Sequence, residues 1–79
     1  MKEYLIYVNY SLSGCTIYKV TTEDIFHDIG VMMYCAPEAV EFFTFVESTS
    51  ELLEYWKKEN KSIYDYPRRW KEQYAMSKM

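Results

Sequence analysis

The histidine and the two cysteines of the chain, His27, Cys15 and Cys35, are the residue types from which a nucleophilic site would be built. Asp24 precedes His27 by three residues, a spacing at which a helix lets a carboxylate orient an imidazole. Such a base would need a nucleophile, and the cysteines are the candidates. Since nothing in the spacing brings a cysteine to His27, we expect an exposed helix histidine, no catalytic residue and no enzyme activity.

Metal and cofactor sites are not expected either. A structural zinc site takes three or four ligands, and Cys15 and Cys35 lack paired spacing such as CxxC. Gly14 and Gly30 stand too far apart to form a loop that cradles phosphate. We therefore predict no metal-binding and no cofactor-binding residues.

The number of cysteines also indicates the cellular compartment in which the protein works. Two cysteines form at most one bridge, so we expect free thiols and a cytoplasmic protein. The run Leu12-Ser13-Gly14-Cys15 matches a lipoprotein cleavage box, but Asn9 interrupts the apolar run that should precede it. We interpret Ser11–Gly14 as a hairpin turn, with use of the cleavage box as the alternative, and expect no membrane association.

Aromatic content and charge distribution are the unusual features of the composition. Nine Tyr, four Phe and two Trp occur among 79 residues, and the net charge is −3. The segment 23–59 holds nine acidic residues and two lysines, a net charge of −7. Tyrosine and tryptophan are typical of interfaces because they bury a large area and keep a polar group. These two features favour a binding function.

The predicted fold class is α+β, with a small antiparallel sheet (ββαββ) and a C-terminal helical pair packed on it, in one domain of residues 1–79. The predicted strands are 4–10, 15–20, 31–35 and 40–46. The predicted helices are 23–29, 50–59 and one that begins near Asp65. Asn60-Lys61-Ser62 should break the second of these helices.

The helix ends rest on local signals. Gly30 is predicted to end the first helix, and the alternative continues that helix to Pro37. Ser48 and Glu51 fit a capping box, and Asp65 is the expected cap of the last helix.

Both faces of the sheet carry apolar side chains near their centres. In strand 40–46, Phe42 and Val46 alternate with Phe43 and Phe45. Short helices cover one face well and the second only partly, so we expect another chain to cover the rest. That chain is a twin copy, giving a homodimer, or a different protein of unknown identity.

The leading prediction is a small, non-enzymatic protein-binding module, an inhibitor or adaptor with an acidic, aromatic-rich surface. The predicted protein-binding residues are Tyr7, Glu38, Glu41, Phe43, Phe45, Glu47, Glu51 and Glu54. Clustered carboxylates can imitate a phosphate backbone and occupy a basic groove. Small acidic proteins of phages and mobile elements, including inhibitors of CRISPR nucleases, are similar in composition; no motif assigns the chain to a family.

Nucleic-acid binding is the alternative function. Basic and aromatic groups interleave near the C-terminus, where the candidates are Arg68, Arg69, Trp70 and Lys71. Against it, Tyr66, Trp70 and Tyr74 form one helical stripe, which is typical of a core, and the whole chain is acidic.

Overall fold

The computed structural model of the protein describes residues 1–59 and 62–78. Its elements are β1 (Lys2–Tyr10), β2 (Gly14–Thr22), α1 (Ile25–Cys35), β3 (Val40–Glu47), α2 (Ser50–Lys58), β4 (Ile63–Asp65) and α3 (Arg68–Ser77). The described residues form one four-stranded sheet in the order β3-β1-β2-β4. The α+β class is therefore confirmed. The sheet is mixed, because β1 pairs antiparallel with β2 and β3 whereas β4 runs parallel to β2.

The hairpin of β1 and β2 follows the sequence pattern. Its register runs without a break from Lys2 opposite Thr22 to Tyr10 opposite Gly14. Gly14 has φ +78°, a left-handed conformation that side chains rarely adopt, so this position favours glycine. The prediction of a hairpin with its turn at Ser11–Gly14 is confirmed.

Helix α1 differs from the leading prediction. It continues through Gly30 to Cys35, so the predicted strand 31–35 is wrong and the longer alternative is confirmed. The apolar stripe explains why, since Ile25, Ile29 and Met32 recur at helical spacing and all are buried. That burial outweighs the roughly 1 kcal/mol that an interior glycine costs.

The later boundaries also shift. Thr49, not Ser48, caps α2, and its hydroxyl accepts a hydrogen bond from the Leu52 N–H at 3.1 Å. Asp65 does not cap α3: it belongs to β4, a strand absent from the prediction, and α3 begins after Pro67 without a side-chain cap. The predicted break after α2 falls partly on residues 60 and 61, which lie outside the described residues.

The two crossovers of the sheet put α1 and α2 on opposite faces. β2, β3 and β4 are parallel to one another, and β2-α1-β3 and β3-α2-β4 run across the sheet in opposite directions. A crossover of parallel strands is right-handed as a rule, so a reversal of direction moves the helix to the other face. The predicted pair α2 and α3 is therefore divided between the faces.

Alternate residues of the hairpin define these two faces. The closed face carries Ile6 and Val8, and α1 and α3 pack on it; the open face carries Leu5 and Tyr7, and α2 lies over it. The main core lies on the closed face and consists of Ile6, Val8, Tyr10, Tyr18, Val20, Ile25, Ile29, Val31, Met32, Tyr66 and Trp70.

Candidate binding surface

The open face is covered only in its middle. Leu5 and Ile17 are each 2% exposed there, and the ring of Tyr7 lies 6.1 Å from that of Trp56. Towards the β3 side the cover ends, and Phe42 and Val46 are 56% and 47% exposed. A groove of about 410 Å³ remains, lined almost entirely by apolar side chains of the sheet and of α2.

The shape of α2 explains why the groove stays open. The helix has nine residues, hence a length of about 14 Å, and none of its residues is buried. Leu52 and Trp56, one turn apart, reach the groove, while Glu51, Glu54 and Tyr55 are exposed. Within the described residues, the buried indole Nε1 of Trp56 has no hydrogen-bond partner. A helix this short covers two strands well and leaves β3 exposed.

The outer edge of β3 adjoins this groove. β3 is an edge strand, and no strand of residues 1–59 or 62–78 pairs with its outer side. A bulge at Glu41 precedes a regular stretch, Phe42–Glu47, that pairs with β1. Edge strands are commonly protected by lysine or proline, and β3 contains neither. The opposite edge of the sheet, β4, has only three residues.

Phe43 and Phe45 lie on the closed face, opposite Val8 and Ile6 of β1. Phe45 is half-buried and contacts the ring of Phe26 edge-on at 5.6 Å, and Phe43 is 37% exposed. The structure therefore separates them from Tyr7, which lies on the open face. Alternation in the sequence already places Phe42 and Val46 on the same face of the strand. Which pair of side chains α2 leaves exposed, however, depends on the topology of the sheet.

The predicted acidic residues have different surroundings. The carboxylate of Glu38 accepts hydrogen bonds in the hairpin turn from the Ser13 N–H at 2.9 Å and the Leu12 N–H at 2.6 Å. These bonds, from Ser13 and then Leu12, lower the pKa of Glu38 from its ordinary value. The Glu38 carboxylate is thus engaged in hydrogen bonds within the protein, whereas Glu41 is exposed at the start of β3.

The remaining carboxylates lie beyond the other end of β3. Glu47, its last residue, is 3.8 Å from the Lys2 ammonium, and both side chains are largely exposed. Glu51 and Glu54 are exposed on α2. Carboxylates therefore stand at both ends of the β3 edge.

The candidate residues of a nucleophilic site lie apart. His27 and Cys35 are separated by about 12 Å along α1. The His27 ring packs against Tyr74, and the Cys35 thiol donates a hydrogen bond to the Trp70 carbonyl at 3.4 Å. Cys15 lies in β2 beside Tyr7, and a hydrogen bond with Cys15 raises the pKa of the Tyr7 phenol.

The basic and aromatic residues of α3 do not form one surface. Trp70 is 5% exposed and packs edge-on against Tyr18 at 5.3 Å, so its ring is not free to stack on a base. The ammonium of Lys71 lies 3.2 Å from the buried carboxylate of Asp28. Arg68 and Arg69 are exposed. Of the four candidate residues, Trp70 is thus buried and Lys71, although 43% exposed, is paired with Asp28, whereas Arg68 and Arg69 are open to a nucleic acid.

In comparisons with known proteins, the chain matches no family model, no curated protein and no solved structure. Among the described residues, no helix is long and apolar enough to cross a membrane. The geometry of the surface is accordingly the basis for the functional argument.

Proposed function

We propose that the protein is a non-enzymatic, cytoplasmic protein-binding module, an inhibitor or adaptor. Its binding surface is the outer edge of β3 together with the groove on the open face. The observation that carries this proposal is the exposure of Phe42, Phe43 and Val46 along an edge strand whose outer side has no partner strand among the described residues. Such exposed apolar surface marks interaction sites in soluble proteins.

The surroundings of this surface support the proposal. Aromatic side chains with a polar group contribute much of the energy of interfaces, and Tyr7 and Trp56 both lie at the groove. Cys15 and Cys35 are free thiols, which fits a reducing compartment.

The carboxylates indicate the kind of partner. Glu41, Glu47, Glu51 and Glu54 give the neighbourhood of β3 a negative potential, which attracts a basic protein surface. Basic surfaces are typical of proteins that handle nucleic acids, and a CRISPR effector is one example of such a complex. The protein would occupy that surface in place of nucleic acid.

Affinity purification from the source cells tests the function when it compares two matched variants. Phe42→Ala removes a 56% exposed ring at the β3 edge, and Tyr64→Ala removes an equally exposed ring at the β4 edge. We expect wild type and Tyr64→Ala to retain one partner protein and Phe42→Ala to lose it. The purified partner should then bind the purified protein directly.

Two results would overturn the proposal. One is that both variants retain the same proteins as wild type. The other is nucleic acid recovered in place of a protein, with a binding constant that falls steeply with salt and depends on Arg68 and Arg69.

A further inference from the structure

We infer that the partner contributes an extended strand that pairs with the outer edge of β3, and that this strand has an apolar centre and basic residues at both ends. This inference rests on the proposed function and specifies how the partner is held. Addition of a strand to an exposed sheet edge is an established mode of peptide recognition, in which main-chain hydrogen bonds supply affinity and alternate side chains supply specificity.

The edge is long and regular enough for this mode. β3 has eight residues, and Phe42–Glu47 continues without a bulge. Alternate N–H and C=O groups of an edge strand point away from the sheet, so β3 offers a row of donors and acceptors that no described strand pairs with. β4, with three residues, offers much less.

The side chains of an added strand would find apolar surface on both faces. On the open face they would extend the row of Phe42 and Val46 and cover the mouth of the groove. On the closed face they would lie beside Phe43 and towards Phe26, which is 73% exposed. This arrangement requires apolar residues at successive positions in the centre of the partner strand.

Charge argues against a second copy of the chain as the occupant. A two-fold antiparallel pairing that sets Phe42 opposite Val46, and Phe43 opposite Phe45, also brings Glu41, at the bulge, next to Glu47 at both ends. Like charges directly opposite each other destabilise a strand pair. A shift of the register by two residues instead places Glu41 against Phe45 in one direction, or Glu47 against Phe43 in the other.

A partner strand with lysine or arginine at its ends removes this conflict. In the same register its basic residues would lie opposite Glu41 and Glu47. Both carboxylates are exposed and accessible to such a strand, which would compete with the Lys2 ammonium, 3.8 Å from Glu47. Charge complementarity therefore selects a basic-ended strand of a different protein.

Synthetic peptides of the length of β3 provide the test. The first has lysine at each end and valine and threonine between, and the second has glutamate in place of lysine. Two further versions of the first carry N-methyl groups on one or the other alternate set of amides, which removes the donors of one edge only. Binding is measured by titration calorimetry, and protection of the 42–47 amides by hydrogen–deuterium exchange.

We expect the lysine-ended peptide to bind and to slow exchange at β3. The glutamate-ended peptide and one N-methylated version should have dissociation constants at least about tenfold higher than that of the lysine-ended peptide. The other N-methylated version should bind like the lysine-ended peptide. In Glu41→Lys the preference between lysine and glutamate ends should diminish or reverse. Glu72→Lys makes the same charge change on α3 and should leave the preference intact.

Three outcomes would overturn the inference. The first is that no peptide binds, and the second is that the two N-methylated versions bind equally. The third is slow amide exchange at β3 without any peptide, together with a solution mass that rises with concentration, which would identify a second copy as the occupant. These outcomes are distinct from failure of the proposed function. If the peptides fail but Phe42→Ala still loses a partner protein selectively, the module binds through its groove, and only strand addition is wrong.

Discussion

The two faces of the sheet are formed by the same strands, yet the helices cover one face much more completely than the other. On the closed face, Ile6 and Val8 are fully buried beneath α1, and α3 completes the cover with Trp70. On the open face, the neighbouring residues Leu5 and Tyr7 lie beneath α2 alone. Two strand faces of similar hydrophobicity are therefore not equally buried, because burial depends on how many helices the crossovers between the strands place on each face.

The closed face is also held by polar contacts between side chains and between a side chain and the backbone. Asp28 of α1 is 1% exposed, and its side chain pairs with Lys71 of α3. The hydroxyl of Tyr66 donates a hydrogen bond of 2.7 Å to the Asp28 carbonyl, and the hydroxyls of Tyr10 and Tyr18 are 2.8 Å apart. The first joins α1 to α3, the second joins α1 to the segment that follows β4, and the third joins β1 to β2. Together they indicate that the closed face is the stabilising half.

The largest difference in unfolding free energy is expected when the same substitution is made on each face. Val8 is fully buried on the closed face and Val46 is 47% exposed on the open face. We expect Val8→Ala to lower the free energy of unfolding by about 2 kcal/mol or more, since two buried methyl groups are lost and a cavity remains. Val46→Ala should cost less than about 1 kcal/mol. Urea denaturation measures both, and equal losses would contradict the division into two faces.

The ion pair between α1 and α3 should give the next largest effect. Lys71→Met leaves the Asp28 carboxylate buried without a partner, and we expect a loss of about 1–3 kcal/mol in the free energy of unfolding. The estimate is below that for a fully buried pair because the Lys71 side chain is 43% exposed.

Two further variants sharpen this prediction. Replacement of both partners, Asp28→Leu with Lys71→Met, should recover most of the loss, because no unpaired charge remains. Arg69→Met removes an exposed charge on the same helix and should be nearly neutral. If Lys71→Met were equally neutral, the pair would contribute nothing to the closed face.

The Tyr66 hydroxyl should contribute less. Tyr66→Phe removes its hydrogen bond to the Asp28 carbonyl and should cost about 0.5–1.5 kcal/mol. Burial, more than the nearby Asp28, raises the pKa of Tyr66 above the ordinary tyrosine value. Since the folded pKa is raised, this stability is present below about pH 10 and declines as pH rises beyond it.

The pH dependence is measured by denaturation at neutral and alkaline pH. Wild type should lose stability with rising pH more steeply than Tyr66→Phe. Tyr64→Phe, which changes an exposed hydroxyl, is the control and should follow wild type. Parallel curves for wild type and Tyr66→Phe would show that Tyr66 ionises freely in the folded protein.

Glu38 should give the smallest effect, and it tests the hairpin rather than either face. Hydrogen bonds from Ser13 and Leu12 lower its folded pKa, so the stability it adds is present above the unfolded pKa of a glutamate and declines as pH falls through the lower, folded pKa. The difference in unfolding free energy between wild type and Glu38→Gln should therefore shrink in acid. Glu41→Gln, which removes an exposed carboxylate nearby, is the matched control variant.

The surface could be predicted in part. Exposed apolar side chains on the strand 40–46 were expected from alternation alone, because Phe42, Phe43, Phe45 and Val46 occupy both faces of it. Glu38 was also assigned to the surface for binding, but its role in the turn depends on a contact with Ser13, far from it in sequence. Long-range contacts of this kind leave no local pattern.

Local interactions of the chain determined the hairpin, β3 and α2. Each has a signal within a few residues: alternating β-formers around Gly14, the run Val40–Val46, and the apolar stripe of Leu52 and Trp56. Tertiary structure alone decided the course of residues 31–35, the existence of β4 and the division of the helices between the faces. The physical reason is that burial against α3 and the sheet favours helix through Gly30, and that β4, with three residues, depends on its pairing with β2.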